Sequence, residues 1–391
     1  MRVHQLCRQM AAYCHVVLLT YTRRGTEAEV AGMNQVVDTR ALPRDDPVGS
    51  ARRARQLATL VSRAPFHAQQ WKGRHMQLAL DTLLAEEQFD IVQLESSQMG
   101  WLRVRGDAHV VVDEHNIESE LLARMAAAES SELRRYFNAW ERVKYERFES
   151  SLWSGVAACL VTSARDETAI RRRAPGVPVE VVPNAVDLSY FQPLPVGVER
   201  DSIAFMGLMT YRPNLDAVYY FLDEILPLVR RGRPHAHLTV VGNGEAGDLE
   251  EIRRRGATAT GWVADVRPHL ARAAVVVVPL RVGGGTRLKV VEALSMGRPV
   301  VTTSLGREGI EVVSERNLLV EDDPREFAEA VCRVLDEPDL GQRLGAAGRA
   351  LVEEKYSWER SGDVLRAFHG SLLGAPAEPS SPAASSRGPS G

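Results

Sequence analysis

Cysteine is scarce in this chain, and long hydrophobic runs are missing from it. The four cysteines among 391 residues, Cys7, Cys14, Cys159 and Cys332, include no C-x-x-C pair, so the sequence predicts neither a zinc site nor a disulfide framework. No apolar run reaches the roughly 18 residues that span a bilayer, and the first residues show no signal-peptide pattern. A formal net charge of −3 gives no sign of nucleic-acid binding. We therefore expect a reduced, cytoplasmic protein without a nucleic-acid partner.

What the chain does contain is a regular alternation of strand-like and helix-like segments. Hydrophobic residues make up 45% and charged residues 25% of the chain, which is typical of a soluble globular protein long enough for two domains. Apolar strands separated by amphipathic helices predict parallel sheets buried on both faces. The predicted strands are 15–20, 89–95, 109–113, 157–163, 179–182, 202–206, 236–241, 257–260, 274–279, 299–303 and 317–320. The predicted helices include 215–231, 247–255 and 325–336.

The alternation is interrupted at residues 192–197, which are rich in proline and glycine. We predict a first domain over residues 1–192, a linker over 193–200 and a second domain over 201–355. Residues 374–391 contain almost nothing apolar and are predicted to be a disordered tail. Two doubly wound domains would bind ligands at the carboxyl ends of their strands.

The most informative segment is the glycine-rich stretch 279–300. It leaves a predicted strand, passes three consecutive glycines and opens a helix that ends at Gly297. A helix N-terminus attracts anions through its free N–H groups and its dipole, and Arg287 and Lys289 add two cations there. The segment therefore predicts a phosphate or diphosphate site. The alternative is a mobile loop with a surface arginine and an ordinary helical Lys289–Glu292 pair.

Five motifs, taken in their order and spacing, resemble glycosyltransferase family 4. They are Val-Pro-Asn-Ala-Val-Asp at 182–187, Phe-Met-Gly at 205–207, Val-Val-Gly-Asn-Gly at 240–244, Thr-Gly-Trp-Val at 260–263 and the stretch 279–300. The last contains Gly-Gly-Gly-Thr-Arg-Leu-Lys, which is typical of one subgroup. The resemblance implies an α/β GT-B fold: two facing Rossmann-like domains with doubly wound parallel sheets and a cleft between them. It also implies that residues 356–373 form a helix that crosses back onto the first domain.

The resemblance implies roles for residues of the second domain. Glu292 would accept hydrogen bonds from the nucleotide ribose, while Arg287 and Lys289 would neutralise the donor diphosphate and so serve catalysis. Gly207 would let the backbone approach the phosphates. The other positions implied in donor binding are Gly284, Gly285 and Thr286 in the loop, and Trp262 and Val263 beside the base.

Several of the implied roles have structural alternatives, which for Glu292 and Arg212 are a solvated helix residue and a surface arginine. In the first domain, His115 follows a predicted strand and would face the donor sugar as a catalytic residue. A structural hydrogen bond is the alternative there. For Trp262, the alternative to base binding is packing between the domains.

The chain departs from the family pattern in the donor site. Gly284 stands where many members carry a glutamate near the transferred sugar, so no carboxylate contact is expected from that position. Leu208 and Pro213 replace a common arginine and lysine. Phosphate binding would then depend on the two basic residues of the loop, with Arg212 as a secondary candidate.

The start of the chain is a further departure. It opens on an amphipathic helix with Val3, Leu6, Cys7, Met10 and Cys14 on one side, where family members place a strand and a Gly-rich loop first. We therefore expect the first strand to be missing, because the start is truncated or mis-assigned. Loss of a central strand would leave backbone groups unpaired and reduce stability.

The resemblance implies retaining transfer of a hexose from a UDP- or GDP-sugar to an acceptor hydroxyl, without a metal or other cofactor. The acceptor would be a glycan or a lipid-linked molecule in cell-surface glycan or exopolysaccharide assembly. A basic stretch in the first domain predicts peripheral contact with the inner face of the membrane, although a solvated helix face would show the same pattern. Its residues are Arg52, Arg53, Arg55, Arg63, Lys72 and Arg74.

Two other functions stay open from the sequence. A non-catalytic nucleotide-sugar-binding protein is compatible with Gly284 and with the missing strand. A nicotinamide-dependent oxidoreductase would use the G-x-G-x-x-G spacing at 242–247, with Asp265 as the acidic residue further along the chain. Asp265 lies beyond the predicted strand, which disfavours this second function.

Overall fold

The structure, a computed structural model, describes residues 2–23, 25–44, 59, 62, 64–128, 131–283 and 285–374. Its strands pair in parallel throughout this part of the chain, which confirms the predicted α/β class. The strands form a two-stranded, a four-stranded and a six-stranded sheet. The first two sheets lie before residue 182 and the third follows residue 201.

The first part of the chain contains the following elements, numbered in chain order. The strands are β1 (Val17–Thr22), β2 (Asp38–Pro43), β3 (Ile91–Glu95), β4 (His109–Glu114), β5 (Ala158–Val161) and β6 (Val179–Val181). The helices are α1 (Arg2–Met10), α2 (Glu27–Asn34), α3 (Phe66–Trp71), α4 (Arg74–Glu86), α5 (Glu118–Ala128), α6 (Glu132–Trp153) and α7 (Ala164–Arg173). A single 3₁₀ turn, Ser97–Met99, follows β3.

The second part continues the same alternation. Its strands are β7 (Ser202–Met206), β8 (His237–Val241), β9 (Thr258–Ala259), β10 (Val275–Val278), β11 (Val300–Thr302) and β12 (Leu319–Val320). Its helices are α8 (Arg212–Tyr220), α9 (Leu226–Gly232), α10 (Ala246–Arg254), α11 (Arg267–Arg272), α12 (Leu288–Ser295), α13 (Pro324–Asp336), α14 (Pro338–Lys355) and α15 (Trp358–Leu372).

The six-stranded sheet has the order β9-β8-β7-β10-β11-β12. This is the doubly wound order 3-2-1-4-5-6, in which the winding direction reverses between the first and fourth strands, here β7 and β10. All residues of β7 and β10 are buried, because helices cover both faces of the sheet. The crevice at the carboxyl ends of β7 and β10 is therefore the expected ligand position.

Two sequence predictions about helices are corrected. The helix predicted over 215–231 is divided into α8, a π-helical turn at Phe221–Ile225 and α9. Pro227 lies in the first turn of α9, where its missing N–H disrupts a continuous helix. Cys14 was expected on the same side of the first helix as Val3, Leu6 and Met10, but α1 ends at Met10 and Cys14 is exposed.

The four-stranded sheet has the order β3-β4-β5-β6, and β1 and β2 form a separate pair. The sequence did not predict β2, because Asp38 and Arg40 give that strand little apolar character. Within the described residues, no hydrogen-bonded ladder joins β1 to β3. The absence of a first strand stays a prediction.

A buried ion pair joins the first helix to the centre of the four-stranded sheet. Arg2 of α1 donates from Nε and Nη2 to the two carboxylate oxygens of Asp113 on β4, at 2.9 and 2.8 Å. The Arg2 side chain is 7% exposed and that of Asp113 is fully buried. Arg2 Nη1 also donates to the carbonyl oxygen of Val182 at 2.9 Å. The pair therefore holds α1 over the end of β4.

The last helix packs against the first part of the chain. Val186 donates its N–H to the carbonyl oxygen of Tyr356 at 2.9 Å, and Ser361 Oγ donates to the carbonyl oxygen of Pro183 at 2.9 Å. Leu365 of α15 shares a hydrophobic cluster with Leu6 of α1. Residues 375–391, which include most of the predicted tail, lie outside the described residues.

We predict that Arg2→Met destabilises the protein by about 3–5 kcal/mol, because Asp113 would keep a buried charge without its partner. Urea unfolding at neutral pH measures the change. Arg8→Met is the matched control, since Arg8 lies on the exposed side of the same helix. Equal midpoints for the two variants would contradict the assignment.

Candidate active site

The loop that joins β10 to α12 lies at the switch point of the six-stranded sheet. We call residues 279–287 the glycine loop. It leaves β10, while the turn at Gly207 leaves the neighbouring β7, so the two segments meet at one edge of the sheet. Together they line a pocket of about 280 Å³. Its lining includes Gly207, Tyr211, Pro213, Asn214, Leu280, Thr286, Arg287, Lys289 and Glu292.

Lys289 and Glu292 lie one turn apart on α12, and both side chains face the pocket. Burial lowers the pKa of Lys289 to about 7, and the nearby charge of Arg287 acts in the same direction. Burial also raises the pKa of Glu292 to about 7. Each charge stabilises the other only in part, so both groups are poised to change protonation when a charged ligand enters.

Asn214 fixes the ammonium group of Lys289. Lys289 Nζ donates to Asn214 Oδ1 at 2.5 Å, and Asn214 Nδ2 donates to the carbonyl oxygen of Leu208 at 2.8 Å. The same ammonium lies 4.4 Å from the centre of the Phe205 ring. Because Nδ2 donates to Leu208 and Oδ1 accepts from Lys289, the amide of this buried side chain turns its oxygen towards the cation.

Gly207 is required by this arrangement. A Cβ atom at this position would lie 2.6 Å from Asn214 Nδ2 and 3.0 Å from Lys289 Nζ. Any larger residue would therefore push the amide and the ammonium apart. The absence of a side chain leaves the Gly207 backbone open to the pocket.

Arg287 occupies the N-cap position of α12 and is buried. Its Nε donates to the carbonyl oxygen of Leu305 at 3.3 Å, and Nη2 lies 3.9 Å from the carboxylate of Glu308. Burial lowers the pKa of Arg287 to about 10, so the side chain still carries its charge at neutral pH. The adjacent Thr286 Oγ1 is buried without a hydrogen-bond partner among the described residues.

The first part of the chain contacts the glycine loop through Arg124 and Asn116. Arg124 of α5 donates to the carbonyl oxygen of Gly283 at 2.8 Å and forms a bidentate pair with Glu308 at 2.6 and 3.1 Å. Asn116 Oδ1 would lie 2.6 Å from a Cβ atom on Gly285, whose φ of 76° also favours glycine. The described part of the loop is therefore in contact with both halves of the molecule.

His115 lies at the carboxyl end of β4, on the first half of the molecule. Its Nε2 is 2.8 Å from Glu95 Oε2 and 3.8 Å from Asp113 Oδ2. Burial lowers the pKa of His115, but the hydrogen bond to Glu95 and the charge of Asp113 outweigh burial, so the net shift is upward. The structural hydrogen bond expected as the alternative is present, and it leaves Nδ1 available for other contacts.

His115, Glu95 and Asp113 have the composition of a metal site, and their potential ligand atoms lie within 4.8 Å of one another. However, both oxygens of Asp113 already accept hydrogen bonds from Arg2. A second cation beside that guanidinium would be repelled. The three residues therefore do not fit a metal ion well.

The structure does not bring every residue of the sequence prediction into the pocket. Trp262 is 73% exposed, so the alternative that it packs between domains is wrong. Val263 is half-buried, and Arg212 is exposed at the first position of α8, outside the lining residues. Gly284 lies outside the described residues, as do Arg52, Arg53, Arg55 and Arg63.

Four contact residues were not singled out from the sequence: Asn116, Arg124, Asn214 and Glu308. Asn116 and Asn214 immediately follow His115 and Pro213, two positions named from the family pattern, so a polar side chain next to such a position was the available signal. Arg124 and Glu308 are 184 positions apart and no local pattern links them.

Each half of the chain matches a model of a known protein family. Residues 1–185 match the model described as glycosyl transferase 4-like domain, and residues 200–337 match the model described as glycosyl transferases group 1. The chain has the GT-B architecture of the glycosyltransferases. No helix among the described residues of this GT-B protein is long and apolar enough to cross a membrane.

Two curated relatives illustrate the sequence similarity of this GT-B protein. One is a GDP-mannose-dependent monoacylated alpha-(1-6)-phosphatidylinositol monomannoside mannosyltransferase of Corynebacterium glutamicum, 29% identical over 212 residues, which are 50% of this chain and 52% of that protein. Another is the alpha-D-kanosaminyltransferase of Streptomyces kanamyceticus, 29% identical over 189 residues, covering 44% and 46% of the two chains. The chain therefore matches about half the length of these relatives.

Solved structures resemble the chain over nearly its whole length. Sucrose-phosphate synthase from Thermosynechococcus elongatus superposes with a TM-score of 0.70 at 18% identity, covering 95% of this chain and 93% of that one. Anabaena HepE in complex with UDP superposes with a TM-score of 0.67 at 12% identity, covering 94% and 96%. At this identity the likeness establishes the fold: two Rossmann-like domains.

We predict that Asn214→Ala weakens binding of a nucleoside diphosphate by roughly tenfold or more, because a hydrogen bond to a charged group is lost. Calorimetric titration with UDP or GDP measures the change. Asn138→Ala, on α6, is the control. An unchanged dissociation constant for Asn214→Ala would show that nucleotide binding does not depend on the hydrogen bond between Lys289 and Asn214.

We also predict that nucleoside diphosphate binding takes up most of one proton at pH 8. With a pKa of about 7, Lys289 is largely neutral at pH 8, and a neighbouring diphosphate raises that pKa and protonates it. Glu292, with its own pKa near 7, is already ionised at pH 8 and contributes little. Calorimetry in buffers of different ionisation enthalpy measures the uptake.

The uptake should disappear in Lys289→Met and persist in Lys355→Met, because Lys355 is paired with Glu311 at the surface. It should also fade below pH 6, where Lys289 is protonated before the ligand arrives. Proton release at pH 8, or uptake that survives Lys289→Met, would assign the effect to another group.

Proposed function

We propose that this GT-B protein transfers a sugar from a nucleotide-diphosphate donor to an acceptor hydroxyl. The observation that carries the proposal is the convergence of Arg287, Lys289, Glu292 and the unpartnered Thr286 hydroxyl in one pocket at the start of α12. The two cations suit a diphosphate, and the carboxylate suits the ribose hydroxyls. Thr286 Oγ1 needs a partner that the described residues do not supply.

The electrostatics of the pocket fit the departure of a diphosphate. Breaking the sugar–phosphate bond builds negative charge on the leaving group, which fixed cations and helix N–H groups stabilise without reorganisation. Asn214 holds Lys289 and burial holds Arg287, so both are positioned before the donor enters. Independence from a metal ion or other cofactor belongs to this proposal, because Arg287, Lys289 and the α12 N-terminus can together stabilise that charge. Retention of configuration also belongs to the proposal, and its support is the resemblance to glycosyltransferase family 4.

His115 would serve the same reaction from the opposite side of the cleft. Glu95 holds its Nε2, which orients the imidazole and favours its charged form. A cationic or proton-donating Nδ1 would stabilise a hydroxyl of the donor sugar as the bond breaks. The role is that of a binding group in the transition state.

The acceptor is proposed to be a glycan or a lipid-linked molecule. The Corynebacterium relative is named for a phosphatidylinositol monomannoside acceptor, and the Streptomyces relative for transfer of kanosamine. The proposed transferred sugar is a hexose carried by UDP or GDP. The proposed reaction takes place in the cytoplasm, at the inner face of the membrane, in the assembly of cell-surface glycans or exopolysaccharide.

The nicotinamide alternative is not favoured by the geometry of its motif. A Cβ atom on Gly242 would lie 2.0 Å from the carbonyl oxygen of Gly207, so this glycine is needed for packing of the two turns. Asp265, the acidic residue of that alternative, is paired with Arg267 at 2.8 Å. Asp265 is thereby engaged away from any ribose.

We predict that UDP or GDP binds the purified protein with a micromolar dissociation constant, and that Arg287→Ala and Glu292→Ala each weaken binding at least about tenfold. Arg287→Ala removes a charge beside the diphosphate and Glu292→Ala removes the acceptor for the ribose hydroxyls. Isothermal calorimetry with both nucleotides measures the effect and selects the base.

The matched control is Arg281→Ala, since Arg281 belongs to the same loop but is exposed and paired with Asp216. Absence of binding to either nucleotide would overturn the proposal. Binding without turnover of any donor sugar would favour the non-catalytic alternative, and an inverted product anomer by NMR would refute retention.

A further inference from the structure

Three arginines meet at the carboxylate of Glu308, where the two domains are in contact. Arg124 of α5 donates to it in a bidentate pair, at 2.6 and 3.1 Å. Arg165 of α7 forms a second ion pair with it. Arg287 of the second domain lies beside it, with Nη2 at 3.9 Å from Oε2. One carboxylate therefore serves two cations of the first domain and one cation of the candidate active site.

The second domain holds Glu308 in a fixed position, in the turn that follows β11. At the start of this turn, Thr303 Oγ1 donates to the carbonyl oxygen of Leu280 in the glycine loop at 2.6 Å. A Cβ atom on Gly306 would lie 2.7 Å from the carbonyl oxygen of Val278 in β10, so the turn packs directly on the end of that strand. The carboxylate is therefore presented to the first domain by a turn that is attached to the glycine loop.

The same turn also holds the side chain of Arg287. The carbonyl oxygen of Leu305 accepts hydrogen bonds from the N–H of Glu308 and from Nε of Arg287, both at 3.3 Å. Gly309, the next residue, packs on Thr286, because a Cβ atom on Gly309 would lie 3.5 Å from Thr286 Oγ1. Glu308 is thus connected to the residues of the pocket through its backbone as well as through its charge.

Arg124 and Arg165 bring positive charge close to Arg287. Burial lowers the pKa of Arg287, and the charges of Arg124 and Arg165 act in the same direction. The carboxylate of Glu308 offsets this repulsion, so that cations of the first domain can approach a cation of the second. A bound diphosphate would offset more of it with its own negative charge. Closure of the cleft and binding of a diphosphate should therefore favour each other.

We propose that Glu308 is a positioning residue that couples closure of the cleft to diphosphate binding through Arg287. In the closed molecule it draws Arg124 and Arg165 onto the glycine loop, where their charges add to the positive potential at the pocket. Because coupling is reciprocal, a diphosphate stabilises the closed molecule by the same factor by which closure tightens its binding. The role of the diphosphate rests on the proposed function, whereas the joining of the domains by Glu308 does not.

Calorimetric titration of the full chain with UDP, GDP and inorganic pyrophosphate tests the coupling. Glu308→Gln removes a negative charge 3.9 Å from Arg287, which by charge alone should tighten the binding of an anion. We expect the opposite, a roughly fivefold or greater loss of affinity, because the closed molecule is no longer favoured. Arg124→Gln should also lose affinity, although Arg124 does not line the pocket. Arg124→Gln/Glu308→Gln should bind as Glu308→Gln does, because both substitutions remove the same ion pair.

The matched control is Arg333→Gln/Glu315→Gln. Arg333 and Glu315 form a bidentate pair at 2.8 and 2.6 Å, the same kind of contact, but both residues lie in the second domain. This control should bind the three ligands as the unaltered protein does. Tighter or unchanged binding by Glu308→Gln, or losses that add up in the double variant with Arg124→Gln, would overturn the coupling.

Small-angle X-ray scattering of the ligand-free protein tests the joining of the domains separately. Glu308→Gln should have a larger radius of gyration than the unaltered protein. In about 1 M NaCl the unaltered protein should expand and the variant should not, because salt screens the ion pairs. Equal radii would overturn the role of Glu308. Expansion of Glu308→Gln in a protein that binds none of the three ligands would support the joining of the domains but contradict the coupling and the proposed function, so the failures are distinguishable.

Discussion

The site depends on one constraint: β7 and β10 are hydrogen-bonded neighbours that run in the same direction and therefore end side by side. That adjacency brings the turn at Gly207 against the first turn of α12, which puts Lys289 next to Asn214. Both strands are buried on two faces, so the pocket borders the hydrophobic core of the second domain. The partial burial of Lys289 and Glu292, and hence their shifted pKa values, follows from where two strands stop.

The charged forms of Lys289 and Glu292 are both disfavoured by burial in this pocket. Burial moves both groups towards their neutral forms, while each favours the charged form of the other. The unfolded chain binds more protons than the folded one at Lys289 from about pH 7 to 10.5, and fewer at Glu292 from about 4.5 to 7. The combined contribution of the two groups to the free energy of unfolding of the ligand-free protein is therefore lowest near pH 7. Stabilisation of the pocket by an anionic ligand is expected to be largest at that pH.

Much of the second domain could be predicted because its signals are local. β7 and β10 are continuous apolar runs, and the sequence of the glycine loop indicates both the end of a strand and the start of a helix. β2 escaped prediction, since two charged side chains lie among its six residues. The ion pair of Arg124 with Glu308 was out of reach for a different reason: it depends on how two domains face each other, and no periodicity records that.

The return of the chain to the first domain has a mechanical consequence. The polypeptide passes between the two domains once before β7 and again after Tyr356, where Val186 and Tyr356 are hydrogen-bonded. Two chain connections that lie side by side restrict the relative movement of the two domains more than a single linker would. Any change in the opening of the cleft would alter the distance between Arg124 in the first domain and Glu308 in the second.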